Sequence, residues 1–137
     1  MDIESKTVQC SASSQKMYDY LCDFNHFTQM MPPQVEGWSV EGDKCSFKVG
    51  GFMQLTLTYT ERTPFSRIYI APASNSSSPI PFKAGIHITE KSADACDVSI
   101  HFESDGGNPM MNMMLKPKLK ELANMLADRL QYFSQGL

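Results

Sequence analysis

The chain has 137 residues, 42% of them apolar and 20% charged, and carries a net charge of −3. These values suit one soluble globular domain, long enough to bury about two-thirds of its unfolded surface, and they exclude wholesale disorder. The acidic balance also argues against a dedicated nucleic-acid binder, which needs a basic surface; Lys116, Lys118 and Lys120 form a small cationic cluster read as a solvated helix face.

The opening residues have no positive segment followed by an apolar run, so no secretory signal is expected. No window approaches the ~18 apolar residues of a membrane span, so no integral membrane association is expected either. Cys10, Cys22, Cys45 and Cys96 are scattered, with neither C-x-x-C pairs nor metal-ligand spacing. Such usage points to buried reduced thiols in a cytoplasmic protein with no metal or cofactor.

Taken in chain order, Ser5 to Cys10 reads as a short strand. A helix starting at Ser13 or Ser14 carries Met17, Tyr18, Leu21 and Cys22 on one side. Asn25 caps a second short helix through Met31, which Pro32-Pro33 ends. Val35 to Glu41, Lys44 to Val49 and Phe52 to Arg62 form a meander joined by Gly42-Asp43 and Gly50-Gly51 turns. Thr63 to Ser66 turns the chain into a strand from Arg67 to Ala71, and Pro72 to Pro81 is a Ser- and Pro-rich loop. Phe82 to Glu90 and Cys96 to Ser104 alternate strictly around a turn at Lys91 to Ala95, the pattern of an antiparallel sheet with one covered face. Gly106-Gly107-Asn108-Pro109 leads into a long helix, with Asn108 as its cap.

That helix, Asn108 to Phe133, would run ~40 Å. Met111, Leu115, Leu119, Leu122, Leu126, Leu130 and Phe133 fall within an arc roughly 100° wide. Pro117 removes a hydrogen bond to the carbonyl of Met113 and is expected to bend the axis. The leucines after Pro117 then act as a structural clamp, and Met110 to Leu115 as a lid.

One sheet with a single apolar face and one long apolar stripe bury each other, giving an α+β domain over residues 1–137. The segments Val8-Gln9-Cys10-Ser11-Ala12-Ser13 and Met17-Tyr18-Asp19-Tyr20-Leu21-Cys22-Asp23-Phe24 carry a family resemblance. Phe27, Met30-Met31-Pro32, Trp38 and the amphipathic C-terminal helix extend it. In this order they resemble the SRPBCC superfamily of START-like, Bet v 1-like and polyketide cyclase/dehydrase-like proteins. The resemblance implies a helix-grip fold: a curved antiparallel sheet of about seven strands, in the order β-α-α-β6-α, wrapped on the long helix. It also implies a cavity between them, used by many members for hydrophobic molecules.

Strand parity points Cys45, Phe47, Val49, Met53, Leu55, Leu57, Tyr59, Ile68 and Ile70 inward, followed by Phe82, Ile86, Ile88, Val98, Ile100 and Phe102. His87 and His101 take the solvent face, and His26 lies between the short helices. No inward carboxylate or histidine pair emerges for acid–base work, so no catalytic residue is assigned. Arg62 and Arg67 could flank the cavity mouth or be plain strand-end charges.

The expected function is non-catalytic binding of a small hydrophobic, lipid-like or aromatic ligand, with Tyr59 or Tyr69 offering a hydrogen bond. The candidate contacts are Met31, Phe47, Leu57, Tyr59, Ile70, Phe82, Ile86, Met111, Met114 and Leu115. Two alternatives stay open. One is a polyketide cyclase/dehydratase-like enzyme using Tyr59, His26 and Arg62 or Arg67. The other is a protein-interaction module with a filled core and an exposed patch around Trp38, Phe65 and the methionines.

Overall fold

A computed structural model describes residues 2–31, 33, 35–49, 53–73, 82–104 and 109–137, with the backbone alone at Val49, Met53 and Met111. The Gly50-Gly51 turn, the strand start at Phe52, Pro32, the loop from 74 to 81 and the cap at Gly106-Gly107-Asn108 lie outside these residues. So do the side chains of Val49, Met53 and Met111.

The described strands are β1 (Asp2–Glu4), β2 (Val8–Cys10), β3 (Val35–Glu41), β4 (Lys44–Val49), β5 (Met53–Thr63), β6 (Arg67–Pro72), β7 (Phe82–Ser92) and β8 (Ala95–Ser104). They form one eight-stranded antiparallel sheet in the order β1-β8-β7-β6-β5-β4-β3, with β2 also paired to β8. Helix α1 (Ser14–Leu21) and a 3-10 helix (Phe24–Gln29) follow β2, and α2 (Pro109–Ser134) follows β8. This is the helix-grip architecture, a sheet held against one long C-terminal helix.

Several local boundaries differ from the sequence reading for identifiable reasons. The first strand expected, Ser5 to Cys10, is shortened to Val8–Cys10, and Ser5 bonds β8 through its side chain. Its Oγ accepts from the Ile100 amide at 2.8 Å while its own amide donates to the Ile100 carbonyl. Asp2–Glu4 adds a strand beyond that point, burying Ile3 opposite Phe102. The second short helix is 3-10 and begins at Phe24, since Asp23, not Asn25, caps it by accepting from the Asn25 amide at 2.9 Å. A register shift at Gly37 (φ +64°) interrupts β3, and another between Tyr59 and Glu61 interrupts β5. Past the second shift Arg62 stands opposite the buried Ile68, which strict alternation from Tyr59 would not allow.

Helix α2 closes on β1, β2 and β8. Ala123 and Ala127 are fully buried there, small enough for close backbone approach, and Leu130 and Ser134 are buried beside them. Polar α2 side chains also clasp the backbone of the first segment. Asn124 accepts from the Lys6 amide at 2.7 Å, Gln131 donates to the Gln9 carbonyl at 2.9 Å, and Ser134 accepts from the Ser11 amide at 2.9 Å. Lys120 donates to the Glu4 carbonyl, and Lys6 pairs with Asp128 at 2.7 Å.

The sheet's outer face carries a polar relay across β6, β7, β8 and β1. The Tyr69 hydroxyl lies 2.7 Å from His87 Nε2, the His87 and His101 rings stack at 3.8 Å, and His101 Nε2 is 3.6 Å from a Glu4 carboxylate oxygen. Gly85 makes room for it, because a Cβ there would lie 2.5 Å from the Tyr69 ring. Gly85→Ala is therefore expected to cost about 1–3 kcal/mol in denaturant unfolding. Adding Tyr69→Ala should recover part of that loss; strictly additive losses in the double-mutant cycle would refute the clash.

Burial, His101 and Arg67 hold the His87 pKa below its ordinary 6.5, against weaker pulls from Glu4 and Glu103. On acidification the unfolded chain takes up this proton first, so the His87 contribution is complete above pH 6.5 and is lost as pH falls below it. Melting temperatures measured between about pH 5 and 8 should fall on the acid side. In His87→Gln the acid-side fall should be shallower; an unchanged slope would show that other groups carry it.

Candidate functional site

Because α2 closes on β1, β2 and β8, its leucine stripe stands away from the middle of the sheet, and the gap is a cavity of about 730 Å³. That size lies in the usual small-molecule range of ~300–1,000 Å³. Phe47, Leu55, Leu57, Ile70 and Ile86 form the sheet wall, and Leu115, Leu119, Leu122, Met125, Leu126 and Leu130 form the helix wall. Phe82, Ala84, Ile100, Phe102 and Ile3 continue the sheet wall. Lys118 and Glu121 border the cavity although exposed, so it reaches solvent along the N-terminal half of α2.

The opposite end is shut by aromatic rings. Trp38 stacks on Phe47 with centroids 5.1 Å apart, Phe24 stacks on Tyr59 at 4.2 Å, and Phe27 meets Phe24 edge-on at 5.2 Å. Trp38 Nε1 donates to the Phe24 carbonyl at 3.0 Å, fixing the 3-10 helix to β3. Arg129 donates to the Met30 and Met31 carbonyls at 2.8 and 2.9 Å, tying the end of that helix to α2.

Of the sequence-derived candidates, Met31, Phe47, Leu57, Ile70, Phe82, Ile86 and Leu115 line this cavity. Tyr59 does not line it: its hydroxyl donates to the Leu21 carbonyl at 2.6 Å, and burial raises its pKa. Tyr59 is thus part of the plug, with its polar group already used. Met114 is 68% exposed and points away from the cavity. The Met111 side chain lies outside the described residues. Tyr69 is on the outer face, paired with His87.

The expected division of α2 at Pro117 is also corrected. Leu119, Leu122, Leu126 and Leu130 line the cavity, whereas Ala123 and Ala127 make the close packing with Leu130. The helix continues through Pro117, whose exposed ring leaves the inner side free. Met125 was missing from the apolar stripe because it lies beside the main leucine arc, and only the cavity's width brings it into the wall.

The chemistry available inside is sparse. Glu103 and Gly85 have outer-face parity, so they border the cavity with backbone atoms. Ser104 at the end of β8, with Lys118 and Glu121 at the solvent rim, supplies the polar side chains among the described lining. His26 serves the plug: its ring stacks on Tyr20 at 4.3 Å and its Nδ1 lies 2.7 Å from the Tyr20 carbonyl. Arg62 makes a two-point pair with Asp43 at 3.1 and 3.0 Å and covers the Tyr59 ring, and Arg67 pairs with Glu61 at 3.3 Å. Neither arginine lines the cavity. The four thiols are free, and burial pushes Cys45 and Cys96 up to about 12, which leaves them protonated and unreactive.

Solved structures share this architecture. A START superfamily protein from Mycobacterium smegmatis is 16% identical, with 96% of this chain and 98% of that one aligned at a TM-score of 0.67. Norcoclaurine synthase from Thalictrum flavum, solved with dopamine and hydroxybenzaldehyde, is 14% identical, with 99% and 87% aligned at 0.74. The di-domain ARO/CYC protein BexL is 13% identical, with 96% of this chain and 45% of that one aligned at 0.66. At these identities the likeness shows the fold alone. No curated protein matches the sequence. Residues 10–131 match the family described as polyketide cyclase / dehydrase and lipid transport, and the chain belongs to that family, within the SRPBCC superfamily.

Proposed function

We propose that the protein binds a small hydrophobic ligand between the sheet and α2 and does not convert it. The observation that carries this reading is the cavity itself: about 730 Å³, walled by hydrocarbon, closed by aromatic rings and open beside α2. Each Å² of apolar ligand surface removed from water there is worth ~25 cal/mol. A lipid tail or an aromatic skeleton fits such a lining, and a strongly polar molecule would lose its hydration without replacement.

A cyclase or dehydratase reading draws support from the family, and from norcoclaurine synthase, an enzyme on this fold. Acid–base catalysis asks for titratable groups held beside the substrate away from bulk water. Lys118 and Glu121 are solvated at the rim, while Tyr59, His26, Arg62 and Arg67 are engaged elsewhere. A protein-interaction module with a filled interior fits the open cavity less well. Non-catalytic binding therefore has the stronger physical support.

Native mass spectrometry of gently purified protein, followed by titration with fluorescent fatty-acid and aromatic probes, tests the reading. Leu122→Trp puts an indole into the cavity from the helix side and should weaken probe binding at least about tenfold without lowering the melting temperature. Failure of every probe to bind the wild type, or equal binding by Leu122→Trp, would sink it. Stability should separate wall from clamp. Leu130→Ala, at a 1% exposed site where the cavity wall meets the close packing of Ala123 and Ala127, is expected to cost ~2–5 kcal/mol, and Leu122→Ala, which faces the void more fully, only ~1–2. Equal losses in urea titration would mean that the cavity is collapsed in solution.

A further inference from the structure

We propose that the first two turns of α2 are a docking surface for an anionic lipid bilayer. Met110, Met113 and Met114 are 73%, 76% and 68% exposed, and Pro117 is exposed one turn on. Their spacing places these four on one stripe, centred opposite the leucines that face the cavity. Lys118 lies on one flank of this stripe and Lys116 on the other, while Lys120 is held by the Glu4 carbonyl.

The character of this face changes along the helix. From Glu121 onward the same stripe turns polar, with Glu121 exposed, Asn124 accepting from the Lys6 amide and Asp128 paired with Lys6. A face built only for solvation would not need three bare methionines in its first turns and carboxylates only later. An apolar ridge between lysines matches the headgroup boundary of a bilayer: the thioethers enter the acyl region, and the long lysine stems reach back to phosphates. Between Pro109 and Lys120 the helix carries three lysines and no carboxylate, on a chain whose net charge is −3, so this stretch offers an anionic surface its attraction. The ridge is flanked by Lys118, which also borders the cavity, so docking would bring the rim close to the lipid.

Co-sedimentation with vesicles tests this independently of any cargo, because the protein itself is counted on the membrane. Wild type should partition onto phosphatidylcholine vesicles containing phosphatidylglycerol more strongly than onto pure phosphatidylcholine, and lose that preference as salt rises. Met110→Ser/Met113→Ser/Met114→Ser changes only exposed side chains. It should keep the wild-type melting temperature and lose vesicle binding. Lys116→Glu/Lys118→Glu should weaken binding to anionic vesicles by about fivefold or more per lysine. The proposal is overturned if wild type shows no preference for the anionic vesicles, or if neither variant set alters binding. It is equally overturned if light scattering shows a dimer that the methionine variant converts to monomer, which would assign the ridge to a second copy.

Discussion

The edge formed by β1 and β2 is where this fold is decided. Those strands pair with β8 on one side, which leaves backbone groups on the other side without a ladder. Helix α2 satisfies part of that edge with Asn124, Gln131, Ser134 and Lys120, which bond backbone groups between Glu4 and Ser11. Ala123 and Ala127 bring the helix close enough for those bonds to form. The helix is therefore anchored at one margin of the sheet, and hydrophobic attraction to the sheet centre does not set its position alone.

The cavity follows from that off-centre anchor. With α2 held at β1, β2 and β8, the leucines between Leu115 and Leu130 face Phe47, Leu55, Leu57 and Ile70 across a space that neither side fills. Closing it would require the helix to leave its hydrogen bonds to the edge, each with a desolvation cost if left unmade. At the far end, Trp38, Phe24 and Tyr59 spend their polar atoms on backbone carbonyls or are stacked among rings, so that end is sealed, among the described residues, without a free titratable side chain. The same economy leaves the outer-face histidines to structural duty, where Tyr69, His101 and Glu4 link four strands.

Much of this was legible in the residues. Alternation from Phe82 to Glu90 and Cys96 to Ser104 reads directly as the paired strands β7 and β8, since a two-residue period has one structural meaning when one face is covered. Of the seven candidate contacts that line the cavity, Phe47, Leu57, Ile70, Phe82 and Ile86 do so because strand parity assigns a face even when the partner is unknown. Tyr59 escaped the reading: parity gives its direction, but its hydroxyl partner is a carbonyl 38 positions earlier. Met114 escaped it because it was assigned to a lid expected before Pro117, whereas the helix continues through the proline and leaves Met114 on the exposed side.

By itself the sequence determined the element types, their order and the apolar inner face, all properties carried by neighbours within a few positions. Tertiary structure alone decided the shortening of the first expected strand to β2, the breaks in β3 and β5 and the cap at Asp23. It also decided the roles within the last helix, where alanines clamp, leucines wall a cavity and methionines face outward. The physical reason is that periodicity is local, whereas the side of α2 that packs is chosen by bonds to the segment from Lys6 to Ser11, more than a hundred residues earlier.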